Sequence, residues 1–122
     1  MKRGPLANLS MEFAVKISKL SDSLAEKREY TISRQIGKSG TSIGANIRES
    51  EFAQSKADFI SKLRIALKEA AETDFWLELL FRLDRLNQKD YDELSGICSQ
   101  LIAMLTASVN TASNNASHEN SN

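Results

Sequence analysis

The sequence predicts an all-α protein, an antiparallel up-down-up-down four-helix bundle, on three observations. Apolar residues recur with the helical period from Leu9 to Val109. One proline and five glycines leave too little turn material for an all-β fold. Short polar links separate the periodic stretches, which makes successive helices antiparallel neighbours. At 122 residues, 41% hydrophobic and 26% charged, the chain is expected to form one globular domain over 1–112. A polar, disordered tail is expected over 113–122.

The first helix, over about 9–27, carries Phe13, Ile17, Leu20 and Leu24 on one face. The charged patch Lys27–Glu29 should end it. A second helix, over 31–54, has Thr31 as its N-cap and a stripe of Ile32, Ile36, Ile43 and Ile47. Gly37, Gly40 and Gly44 each cost ~1 kcal/mol relative to alanine inside a helix. A break at Lys38–Thr41 is one outcome, but the isoleucine period keeps its phase across the glycines. The expectation is a continuous helix whose small residues admit a close neighbour. The third helix, over 56–86, opens on Ser55 and Asp58 as a capping-box pair. The fourth, over 90–110, opens on Asp90 and Glu93, with a stripe of Tyr91, Leu94, Cys98, Leu101, Leu105 and Val109.

More apolar surface is present than one bundle needs. On the third helix Phe59, Leu63, Ala66, Ala70, Leu77 and Phe81 form the expected core arc. Phe75, Trp76, Leu79, Leu83 and Leu86 fall nearly opposite. From Leu94 to Ser117 there is no charged residue. Trp76 covering a bundle end would account for part of this. A subunit interface on the Phe75, Trp76, Leu79, Leu83 and Leu86 side accounts for more, so a homo-oligomer is expected.

Several function classes are excluded. The single cysteine rules out an internal disulfide framework and a multi-cysteine zinc site. His118 alone cannot supply the two Glu-x-x-His pairs of a di-iron bundle. No uncharged apolar run approaches the ~20 residues of a membrane span, and the basic start lacks an apolar signal region, so the cytoplasm is expected. The glycine phrase from Ser39 to Asn46 has no lysine after Gly44 and no strand before it, unlike a phosphate-binding loop. Cys98 lies on a core stripe, where a thiol is inert. Asn46 and Asp74 fall near core arcs and are expected as buried polar partners that set helix register. No catalytic, metal-binding or cofactor-binding set emerges, and no small-molecule substrate is evident.

The distribution of charge is more informative. The 16 basic and 16 acidic residues cancel over the whole chain, but not along it. Residues 1–48 hold nine basic and four acidic residues, the remainder seven and twelve. Arg34, Lys38 and Arg48 share the face of helix two opposite its isoleucines, with Lys27 and Arg28 just before it. That face could contact the phosphates of RNA or DNA. A protein-protein scaffold, its outer cations solvated, is the alternative.

The phrase Ser33-Arg34-Gln35-Ile36 and the stretch Ser39-Gly40-Thr41-Ser42-Ile43-Gly44-Ala45-Asn46-Ile47 resemble the signature of the intervening-sequence four-helix-bundle family. These proteins are encoded in insertions of bacterial large-subunit ribosomal RNA genes. Ser55–Ile60, Ala66–Ala70 and Phe75–Leu80 are similar to the same family, so the resemblance spans roughly residues 10–112. It implies a four-helix bundle assembling as a homopentamer. It also implies kinship with the accessory variability determinant of diversity-generating retroelements, a pentamer that binds nucleic acid and a reverse transcriptase. The chain departs from the family pattern at Gly37, where a larger residue is usual. The combined expectation is a non-enzymatic, homo-oligomeric binding or accessory module.

Overall fold

The computed structural model describes the backbone of residues 3–120 and side chains as far as Asn115; the side chain of His118 lies outside them. Four helices follow one another, α1 (Pro5–Glu26), α2 (Tyr30–Ser50), α3 (Lys56–Arg82) and α4 (Gln88–Asn120). Each packs on its neighbours around a closed square, α4 returning to α1, and among the described residues the backbones of diagonal helices stay apart. The all-α four-helix bundle expected from the apolar period is the observed fold. Among the described residues no strand occurs.

One core runs the length of the square. Phe13 and Ile17 of α1, Ile36 and Ile43 of α2, Leu77 and Leu80 of α3, and Leu101 and Leu105 of α4 are fully buried in it. The isoleucine stripe of α2 is inside as expected, except that Ile32 is only half-buried. On α3 the core face is turned slightly from the expected arc. Ile60 and Leu80 are buried, while Phe59 and Phe81 sit at its edge. Phe81 there stacks on Tyr91 of α4, with ring centroids 4.5 Å apart.

The seam between α1 and α2 is set by small residues. A Cβ added at Gly40 would stand 2.5 Å from Ile17 Cγ2 and 3.0 Å from its Cβ. One at Gly37 would stand 2.8 Å from Ser21 Oγ. That hydroxyl donates to the Ser33 carbonyl at 2.7 Å while the Ser33 hydroxyl donates to the Ser21 carbonyl at 2.7 Å. Gly37 thus makes room for a reciprocal serine clasp. α2 is continuous through Lys38–Thr41.

Helix ends differ from the expected ones, each for a local reason. α1 starts four residues early because Pro5 occupies its first position, where a missing N–H costs nothing. It stops when Arg28 adopts a left-handed φ of 65°. Arg28 N–H then reaches the Ala25 carbonyl and Glu29 N–H the Leu24 carbonyl, a Schellman motif. α2 therefore begins at Tyr30 directly, without the expected Thr31 cap. α3 ends at Arg82, not 86, through the same motif. Asp84 has φ 58°, and Arg85 N–H bonds the Leu80 carbonyl at 2.8 Å. Glu29 and Arg85, the residues that close the two motifs, pair at 2.8 Å across one pole of the bundle.

Ser55 caps α3 as expected: its Oγ accepts from Asp58 N–H at 3.1 Å, and Asp58 Oδ2 accepts from Gln54 N–H. For α4 the capping pair is Asn87 and Asp90, with Asn87 Oδ1 accepting from Asp90 N–H at 2.8 Å. The expected pair, Asp90 and Glu93, lies one turn too late. α4 also outruns its expected end. No glycine or proline follows Gly96, and the segment from 113 continues as helix to Asn120 instead of forming a disordered tail.

Two glycines should respond oppositely to alanine. Gly40→Ala forces a methyl into fully buried, β-branched Ile17. It should lower stability by on the order of 1–2 kcal/mol despite alanine's better helix propensity. Gly96→Ala, whose Cβ meets nothing within 4 Å, should raise stability by up to ~1 kcal/mol. Chemical denaturation of both variants measures the difference.

Candidate functional site

Three of the five basic residues singled out in the sequence, Arg34, Lys38 and Arg48, come together on one side of the bundle, whereas Lys27 lines a hollow at one pole with Asp84, Arg85 and Asp90. Arg34, Lys38 and Arg48 recur on one exposed face of α2, because burial of Ile36, Ile43 and Ile47 turns the opposite side outward. Lys27 and Arg28 are exposed in the turn that leads into α2. Acids close to this face are engaged elsewhere. Glu29 pairs with Arg85 at 2.8 Å, Glu49 with Lys62 at 3.5 Å and Glu51 with Arg3 at 2.6 Å. Among the described residues, Arg34, Lys38 and Arg48 have no ion pair. The result is a row of uncompensated cations on a neutral protein.

Of the apolar set on α3, two members are exposed, two are half-buried with Trp76 packed against the core, and one is buried. Phe75 is 59% exposed and Leu83 46%, and Trp76 and Leu79 are half-buried. Phe75 and Trp76 form an edge-to-face pair with centroids 5.1 Å apart, and the Trp76 indole N–H donates to Glu72 Oε2 at 3.1 Å. Leu86 is only 8% exposed. The left-handed turn at Asp84 ends the helix before it and folds it back into the core, so it leaves the proposed surface.

The expected Asn46–Asp74 partnership does not form. Asn46 is half-buried and its amide donates to the Ser42 carbonyl of its own helix at 2.9 Å. Asp74 is half-buried and makes no hydrogen bond among the described residues. The buried polar link between α2 and α3 is Ser39 with Thr73, whose hydroxyl oxygens are 2.8 Å apart and both fully buried. Thr73 Oγ1 also lies 2.8 Å from the Glu69 carbonyl, so both hydroxyls have partners. A helical wheel carries a usable signal here, since Ser39 falls about 40° from Ile43 and about 60° from Ile36, on the buried side. Small hydroxyl residues are easily read as filler.

No constellation for catalysis accompanies these surfaces. Among the described residues no three His, Cys, Asp or Glu side chains group to hold a metal. Cys98 is fully buried and donates its thiol to the Ala70 carbonyl at 3.3 Å. Burial pushes that thiol up to about 12, with a smaller push from the Asp74 charge. The one pair of shifted surface groups, Lys16 and Glu93, is a 2.8 Å bridge between α1 and α4. Their hydrogen bond raises the lysine and lowers the carboxyl. An apolar groove of about 250 Å³ lies between α1 and α2, lined by Ala7, Met11, Ala14 and Gly44, with Arg48 at its edge. Among the described residues no helix is long and apolar enough to cross a membrane.

Residues 5–107 match the model of the 23S rRNA-intervening sequence protein family. The chain is also similar to a crystal structure from Bacteroides thetaiotaomicron VPI-5482, a protein with unknown function from the S23 ribosomal protein family. The two are 48% identical with a TM-score of 0.83, over 85% of this chain and 97% of that one. No curated protein matches.

The raised Cys98 thiol makes a direct prediction. A group whose pKa is raised on folding keeps its folded-state advantage below its ordinary value, so at about pH 8 the native thiol is protonated and buried. A thiol-reactive dye should then label it no faster than the protein unfolds. Rapid labelling of the native protein would contradict the burial.

Proposed function

The chain belongs to the 23S rRNA-intervening sequence protein family, and on that footing we propose that it is a non-enzymatic, homo-oligomeric module that contacts RNA or DNA through the outer face of α2. The observation that carries this reading is the row Arg34, Lys38 and Arg48, exposed and free of ion pairs while the nearby acids are held by other cations. Arg28, exposed in the turn before α2, adds a cation near the helix start. Contact of this kind is electrostatic and releases counterions from the phosphate backbone, so it weakens as salt rises. One copy brings few cations and no net charge. Several linked copies gain through effective concentration, which ties nucleic-acid contact to self-association.

Self-association is supported by the exposed Phe75 and Leu83 with half-buried Trp76 and Leu79. These side chains form a contiguous apolar stripe on the outside of α3. Soluble proteins usually cover such stripes with a partner, and the aromatic content suits an interface core. Five copies is the number that the family resemblance implies. The scaffold alternative shares the stripe but has no use for the cations of α2.

Binding of a structured RNA should fall log-linearly with salt. The triple variant Arg34→Ala, Lys38→Ala, Arg48→Ala should reduce that slope by roughly 0.7–0.9 for each phosphate that it no longer neutralises. Absence of binding at low salt would favour the scaffold. Light scattering should give a mass that is a multiple of the 13.6 kDa subunit. Phe75→Glu with Leu83→Glu should reduce it to one subunit. A wild-type mass of one subunit overturns the oligomer.

A further inference from the structure

Two of the most exposed aromatic side chains of the protein stand at the two ends of the basic row. Phe52 is 78% exposed and Tyr30 52% exposed. Tyr30 is the first residue of α2, four before Arg34. Phe52 follows α2, four after Arg48. The helical line continues to it: Glu51 keeps right-handed angles of φ −65° and ψ −19°, and Phe52 N–H bonds the Glu49 carbonyl at 3.0 Å. At about 100° per residue, Tyr30, Arg34, Lys38, Arg48 and Phe52 fall on one face. Their span is 22 residues, or ~33 Å at 1.5 Å per residue.

Tyr30 and Phe52 are not part of the buried core. The core is closed without them, and neither belongs to the apolar stripe of α3. An aromatic ring left in water beside uncompensated cations fits a ligand that brings both a flat apolar face and negative charge. Nucleic acid has that composition, and its form is decided by the rings. In a duplex the bases are stacked on one another and closed to side chains along the helix. A single strand can turn a base onto a ring while its phosphates meet the cations. Three cations are also few for a duplex site held by phosphates alone, which uses about 6–10 contacts. Stacking supplies what the charge lacks, and it tolerates any sequence because every base has a π-face.

Resting on the reading of α2 as a nucleic-acid face, we infer that this face takes single-stranded nucleic acid, with one base stacked on Tyr30, another on Phe52 and the phosphates between them along Arg34, Lys38 and Arg48. The strand lies lengthwise on α2. Arg28, exposed two residues before Tyr30, adds charge at that end of the track.

The test compares fluorescently labelled RNA and DNA strands of roughly 16 nucleotides, the upper range of single-strand site sizes, with the duplex of the same sequence. Full-length protein is titrated at low salt and binding is followed by anisotropy. The strand should bind more tightly than the duplex. Tyr30→Ala with Phe52→Ala should weaken strand binding by at least about tenfold, given the usual effect of losing one stacked base, and leave the duplex unchanged. Tyr30→Phe with Phe52→Tyr keeps the rings and should keep the affinity. Arg34→Ala, Lys38→Ala, Arg48→Ala should weaken strand and duplex together. Preference for one strand type identifies whether RNA or DNA is the source, and either result supports the inference. If the cation variant weakens binding but the alanine aromatic variant does not, the phosphate face stands and the stacking inference falls. If the aromatic variant changes the mass of the unliganded protein by light scattering, the rings are protein contacts and the inference also falls. No binding of any nucleic acid overturns both.

Discussion

The rest of the molecule depends on how closely α1 and α2 approach. At Gly40 there is no space for a methyl group beside Ile17, and one turn away the Ser21–Ser33 clasp holds two helix backbones together through side chains of two heavy atoms each. Glycine inside a helix is costly. Here the cost is offset because removing side-chain bulk lets two backbones share dispersion contacts along their length. The close seam fixes the rotation of α2. Its isoleucines must point to the core, and its charged positions must then face water. The exposure of Arg34, Lys38 and Arg48 is thus a result of packing on the other side of the same helix.

Polar groups inside the bundle follow the same economy of size. Ser39, Thr73 and Cys98 are fully buried, and each finds a partner at one helical turn or across one helix seam. Buried groups with partners specify register without placing a charge in a medium of low dielectric. The long ionic side chains remain outside, where pairs such as Lys16–Glu93 and Arg85–Glu29 link neighbouring elements. Exposed pairs contribute little energy individually. Those of Glu29, Glu49 and Glu51 engage the acids at or beside α2.

Much of this was legible in the sequence because burial leaves a periodic trace. The isoleucines of α2, the leucines of α4 and the basic positions between them were placed on the correct faces by spacing alone. Helix ends were less legible, since both Schellman turns use residues that do not announce them. Arg28 and Asp84 take the left-handed conformation usually given to glycine, and the second of these turns sends Leu86 inward. The buried polar pair was harder to see. Asn46 and Asp74 look polar in a sequence, whereas Ser39 and Thr73 pass for small spacers among isoleucines and alanines. Tyr30 and Phe52 keep the helical period of the basic face, but whether that period reaches them depends on where α2 begins and ends.

The four helices are unequal, and α4 has 33 residues against 22 in α1. At 1.5 Å per residue it is longer by ~16 Å, and its last core residue is Ala112. With an even number of antiparallel helices, this excess emerges at the pole that also holds the start of α1 and the turn bearing Phe52. The protein is therefore a vectorial object, with a blunt end and a spiked one. Copies packed side by side in the same sense would bring like ends together, blunt beside blunt and spiked beside spiked.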